Sequence, residues 1–202
     1  MKFLLLFLLG LNLIASDIDD KYSFRVANGY ASAVNLGDIV MGDFSSHPVD
    51  LRVTSFDAGY LLKKDFYDLP IDLYLKSGFA IFDESGANRD DVYEGTLYIK
   101  AYYNIDFWEN RVRFGFAEGI SYVTNYLYAE ESEAISEGDN YSKFLNYLDI
   151  SLDFNVGKLV RYKPLEKVYF GYALKHRSGV AGLYNGVRGG SNYNTLYLEA
   201  NF

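Results

Sequence analysis

"YEGTLYIKAYYNIDF", Tyr93 to Phe107, is the stretch that decides the fold. Taken alternately, Tyr93, Leu97, Ile99, Ala101, Tyr103, Ile105 and Phe107 fall on one face, and Glu94, Thr96, Tyr98, Lys100, Tyr102, Asn104 and Asp106 on the other. A repeat of two is the mark of a strand with unlike faces, not of a helix. The pattern returns in "LDISLDFNV", where Leu148, Ile150, Leu152, Phe154 and Val156 oppose Asp149, Ser151, Asp153 and Asn155. It returns again where Ile71, Leu73 and Leu75 oppose Asp72, Tyr74 and Lys76.

A soluble sandwich alternates in the same way, with its apolar face as the core. Strand length separates the two cases. Extended segments run roughly from Lys21 to Asn35, Val49 to Lys63, Ile71 to Asp83, Tyr93 to Phe107, Arg111 to Tyr126, Leu145 to Asn155, Val168 to Ser178 and Asn192 to Phe202. Most exceed a globular strand and reach the roughly 9 to 11 tilted residues that cross a membrane. The connections after the first, third, fifth and seventh segments are long and polar or Gly-rich, while "KDFYDLP" and "WEN" after the second and fourth are short. The sixth, "VGKLVRYKPLEK", is longer than a turn requires. Long loops on one side and short turns on the other predict an all-β fold, an eight-stranded antiparallel transmembrane β-barrel of the outer membrane, with both chain ends in the periplasm. Phe202 ends a strand whose outward set is Leu196, Leu198, Ala200 and Phe202, which resembles the carboxy-terminal signal of such barrels.

The other end reads "MKFLLLFLLGLNLIAS": one cation, Lys2, an apolar run from Phe3 to Ile14, then Ala15 and Ser16. That is the layout of a secretory signal peptide, too short to span a bilayer. The expected domains are therefore a signal peptide over residues 1–16 and the barrel over residues 17–202, about 186 residues after removing 16 from 202. Tyr (20) and Phe (15) are abundant and Pro (3) is scarce, as suits strands in an exported chain. With no cysteine, neither a disulfide framework nor a lipid-anchored amino terminus is expected. Without Lys2 the chain has 18 Lys and Arg against 27 Asp and Glu, a net charge of −9 that argues against nucleic-acid binding.

Eight strands enclose a lumen that side chains fill, so the inward set is packing rather than pore. Its charges, Lys76, Glu94, Lys100, Asp106, Arg113, Asp149, Asp153, Lys175, Arg177 and Glu199, carry both signs and are expected to pair across the interior. Two places break the pattern. Glu118 falls on the outward parity of its strand, and the second segment changes phase near Thr54 and Ser55, so bulges are expected at both.

On the seventh segment Val168, Phe170, Tyr172 and Leu174 share the lipid-facing parity, and His176 and Ser178 continue it toward the last long loop. Asn192 and Asn194 have the same parity where the eighth begins, and antiparallel neighbours joined by a loop bring such ends side by side. Ser, His and Asn thus meet on the outer wall at the outer leaflet. A serine nucleophile needs a base within reach and a third group that holds the base's tautomer. The bland alternative is a polar rim among the head groups.

The His-x-Ser pair and the tail to Phe202 resemble the PagL family of lipid A 3-O-deacylases, eight-stranded outer-membrane barrels. The resemblance implies Ser178 as nucleophile and His176 as base. The family's catalytic Glu falls on Asn192, and the Asn after its serine, which contributes to the oxyanion hole, is Gly179 here. No acid lies between Ser178 and Glu199. The glycine-rich "GVRGGSN" offers backbone N–H groups, and Arg188 suits a substrate phosphate. The implied partner is lipid A (lipopolysaccharide) in the outer-membrane lipid, with no cofactor and no metal. Three functions stay open: an ester hydrolase of lipid A, a non-catalytic structural or adhesive barrel acting through the acidic loop "AEESEAISEGD", and a narrow transport barrel.

Overall fold

The computed structural model describes residues 20–202; the expected signal peptide at 1–16 lies outside them. The described residues form a closed barrel of eight strands: β1 (Tyr22–Ala31), β2 (Arg52–Lys63), β3 (Ile71–Asp83), β4 (Val92–Phe107), β5 (Asn110–Val123), β6 (Phe144–Asn155), β7 (Val168–Ser178) and β8 (Gly190–Asn201). Each pairs antiparallel with its neighbour in sequence, and β8 closes on β1. Closure leaves no unpaired edge, the condition a sheet must meet in lipid. Among the described residues no helix is long and apolar enough to cross a membrane. The crossing elements are the strands, 10 residues long at β1 and 16 at β4.

β4 alternates as its sequence dictates, with Glu94, Tyr98, Lys100 and Tyr102 buried and Tyr93, Leu97, Ile99, Tyr103 and Ile105 exposed. The exposed set joins Phe79, Phe116, Leu152 and Leu196 in an apolar outer wall. Inside, Arg25, Lys76, Lys100, Arg113, Lys175 and Arg177 meet Asp57, Glu94, Asp149, Asp153 and Glu199 of the strands, with Glu130 added from the third long loop. Arg25 Nη1 lies 2.8 Å from Asp149, Lys76 Nζ 2.6 Å from Glu199, Arg113 Nη2 2.7 Å from Asp153 and Lys175 Nζ 2.5 Å from Glu94. Lys100 also pairs with Asp149. Each sign offsets the cost of burying the other; removing one partner of such a pair costs about 3–5 kcal/mol.

The long-loop end of the lumen is closed differently, by an apolar cluster of Leu51, Val53, Phe82, Val92, Val123, Leu127 and Tyr193. This cluster corrects one expectation. Leu51, Val53, Ser55 and Asp57 are all inward in unbroken register with β1, so no bulge occurs near Thr54 and Ser55; the apolar residues there point in because they plug the barrel. The register shift lies instead between Leu61 and Lys63. Nor is there a bulge at Glu118, which stands outward opposite Ile99 and Leu148 in continuous ladders. Asp106 is not a lumen charge: it lies beyond the barrel wall's buried zone, exposed, and accepts two hydrogen bonds from Arg111 at 2.8 Å.

Among the described residues three short α-helices lie in connections: α1 (Leu36–Val40) in the first loop, α2 (Tyr128–Glu137) in the third and α3 (Val156–Val160) between β6 and β7. α3 accounts for the length of the sixth connection. It starts at Asn155, whose Oδ1 accepts from the Lys158 N–H at 2.9 Å, and ends where Arg161 takes a left-handed conformation.

Candidate functional site

β7 delivers His176 and Ser178 to the outer wall because Lys175 and Arg177 turn into the lumen to meet Glu94 and Glu130. β8 runs alongside, so His176 stands opposite Asn192 and Ser178 opposite Gly190. His176 Nδ1 and Asn192 Oδ1 are 2.7 Å apart. Asn192 Nδ2 donates to the Val34 carbonyl at 3.0 Å. That second bond sets the amide: with Nδ2 committed to a carbonyl, Oδ1 accepts from the ring, so Nδ1 holds the proton and Nε2 keeps the lone pair. This is the tautomer a general base requires.

The first long loop holds this arrangement from outside. Its Ser32 N–H donates to the Asn192 carbonyl at 2.8 Å, and Ile39 of α1 is buried. Between that loop, α2 and the last loop opens a cleft of about 610 Å³ lined by His176, Ser178, Asn192, Glu133, Arg188 and Gly190, among others. Among the described residues no hydrogen bond joins Ser178 to His176; spacing of two on one face leaves them neighbours, and such contacts are often loose before substrate binds. Arg188 is exposed on the cleft, and its backbone N–H donates to Asp139 at 2.8 Å. Gly179 is engaged elsewhere: its N–H donates to the Gly189 carbonyl at 3.1 Å. A Cβ there would sit 2.0 Å from the Val187 carbonyl oxygen, so the chain passes too close for any residue but glycine.

The tail's missing acid hides two residues that the third loop brings in. Glu130 of α2 reaches the lumen and accepts from Arg177 Nη1 at 2.8 and 2.9 Å and from Ser191 Oγ at 2.6 Å. Arg177 separates His176 from Ser178, and Ser191 separates Gly190 from Asn192, so one carboxylate braces both site strands from behind. Glu133, a turn later, lines the cleft, and burial raises its carboxyl pKa above the ordinary value. Their spacing of three on a helix face is the one signal the sequence carried, and it did not say which surface the helix meets. His47 also lines the cleft, but its Nδ1 accepts from the Val49 N–H at 3.1 Å. Among the described residues no cluster of His, Cys, Asp or Glu could hold a metal ion.

No family model matches the chain, and no curated protein is similar to it in sequence at a significant level. Solved structures are similar in fold. The outer membrane enzyme PagL superposes with a TM-score of 0.58 at 10% identity, over 89% of this chain and 99% of that one. Neisserial surface protein A superposes with a TM-score of 0.51 at 12% identity, over 91% of this chain and 98% of that one. At such identities the likeness establishes the fold, a small eight-stranded outer-membrane barrel.

Proposed function

We propose that the protein is an outer-membrane ester hydrolase that removes an acyl chain from lipid A, with Ser178 as nucleophile, His176 as base and Asn192 as the group that orients it. The supporting observation is the 2.7 Å contact between His176 and Asn192 with the amide fixed by Val34, beside a serine in the same outward cleft. A polar rim has no need of a fixed tautomer. In the reaction His176 Nε2 takes the Ser178 proton as Oγ bonds to the ester carbon; collapse of the tetrahedral adduct breaks the bond to the sugar oxygen, which leaves with that proton. Water, deprotonated by the same nitrogen, then releases the fatty acid and restores the serine. Asn192 orients the base but lends the imidazolium no charge, which a triad carboxylate would. Arg188, exposed at the cleft, is the side chain suited to a phosphate of the glycolipid.

One observation favours the second reading, a non-catalytic barrel: no hydrogen bond links the serine to the histidine. The third reading, transport, meets a lumen filled by ion pairs and capped by the apolar cluster. A fluorophosphonate probe separates the first two, since only an activated serine displaces its fluoride. Labelling mapped to Ser178 and lost in His176→Ala supports hydrolysis; a folded barrel that stays unlabelled supports the inert one.

A further inference from the structure

An acyl hydrolase must stabilise the oxyanion that forms when serine attacks, with donors about 2.7–3.1 Å from the developing charge. Near Ser178 the Gly179 N–H is already used, donating to the Gly189 carbonyl at 3.1 Å. Ser178 also has a neighbouring strand on its other side. β6 pairs with β7 so that Asn146 stands directly opposite Ser178 and Leu148 opposite His176. Residues opposite one another point to the same face with Cβ atoms about 4.5–5.5 Å apart. Asn146 thus flanks the serine on the side away from Asn192.

The residue is 6% exposed, yet its side chain makes no hydrogen bond among the described residues, and neither of its polar atoms is sealed off from the surface. Its other cross-strand neighbour, Ile120, supplies only hydrocarbon. On the same wall Asn192 and Asn28 have their amide N–H groups bonded, whereas Asn194 Nδ2, like that of Asn146, has no partner.

We infer that Asn146 Nδ2 is the oxyanion donor of the site, the group that receives the negative charge of the ester oxygen when Ser178 attacks. This rests on the hydrolase reading above and adds a residue to it. No bond to Asn146 forms or breaks. Its N–H turns toward the carbonyl oxygen as that oxygen gains charge and relaxes when the carbonyl re-forms, so its contribution is realised in the transition state more than in the bound ester.

The test is steady-state release of fatty acid from purified lipid A by the full chain in detergent micelles. It compares wild type with Asn146→Leu, which removes the donor, and Asn146→Asp, which keeps the shape and substitutes an acceptor. Loss of one such donor lowers kcat by about 10²–10³-fold. The expected result is that fall in both variants with KM changed little, and partial recovery in Asn146→Gln. Folding is checked by the heat-modified shift of the barrel on electrophoresis, and Asn146→Asp serves if the leucine variant does not fold. Equal kcat in wild type and in a folded Asn146→Leu or Asn146→Asp overturns this inference alone. A folded wild type that releases no fatty acid overturns the hydrolase reading and this inference together.

Discussion

At the scale of single residues, the site depends on which way one amide is turned. The Val34 carbonyl forces Asn192 to present Oδ1 to His176, and the histidine answers with its Nδ1 proton. Ser178→Ala and His176→Ala should each abolish acyl release and leave the barrel intact, because members of a working unit do not act independently. Asn192→Ala frees the ring, and the expected loss is about 10²-fold, the scale of a misplaced catalytic group. Asn192→Asp is more informative. A carboxylate stabilises the imidazolium better, but its second oxygen would face the Val34 carbonyl where an N–H now donates at 3.0 Å. The expected rate therefore does not exceed wild type; a gain in the same fatty-acid assay would mean that the loop contact is dispensable. His176, Ser178 and Asn192 were legible in the sequence because parity and chain reversal alone place them on one wall. Asn146 was not: its distance from Ser178 depends on the register between β6 and β7, which no local pattern states.

At the scale of elements, the strands were readable and the loops were not. β3, β6 and β7 match their expected bounds within a residue, since alternation is enforced by lipid on one side and ion pairs on the other. The phase change in β2 was misread as a bulge because an apolar residue looks the same in sequence whether it faces lipid or the apolar plug. The acidic third loop gave no hint that it folds inward as α2, where Glu130 meets Arg177 and Leu127 is fully buried. That docking should depend on pH. Burial raises the pKa of Glu133, and of Glu84, which accepts from the Tyr128 N–H at 2.7 Å. A carboxyl whose folded pKa is raised contributes stability fully present below its unfolded value near 4.5 and lost as pH rises through the raised value. Asp139 is shifted the other way by backbone N–H groups, so its contribution fades only below about 3.8, outside that window. Hydrogen exchange over residues 127–139, corrected for intrinsic rate, should show greater protection at pH 5 than at pH 7.5. Glu133→Gln should reduce that difference; equal protection at both pH values in wild type would contradict the docked arrangement.

At the scale of the whole molecule, the barrel is a wall of apolar side chains around a column of paired charges, with the candidate site on the outside. Arg113→Met leaves Asp153 and Glu199 short of a partner inside that column. It should cost about 3–5 kcal/mol in urea unfolding from lipid vesicles, with no effect on the outward cleft. Wild-type stability in that variant would mean that water, not pairing, compensates the lumen. The purified chain should be almost wholly β by circular dichroism and should need detergent, whereas a helical spectrum would exclude the fold. Lipid A itself reports most directly on the outward site. Outer-membrane lipid A is extracted from cells with wild type, with Ser178→Ala and with neither, and its mass spectrum is compared. A species lighter by one ester-linked acyl chain is expected in wild type alone; identical spectra, with the wild-type barrel folded in the membrane, would contradict the hydrolase reading.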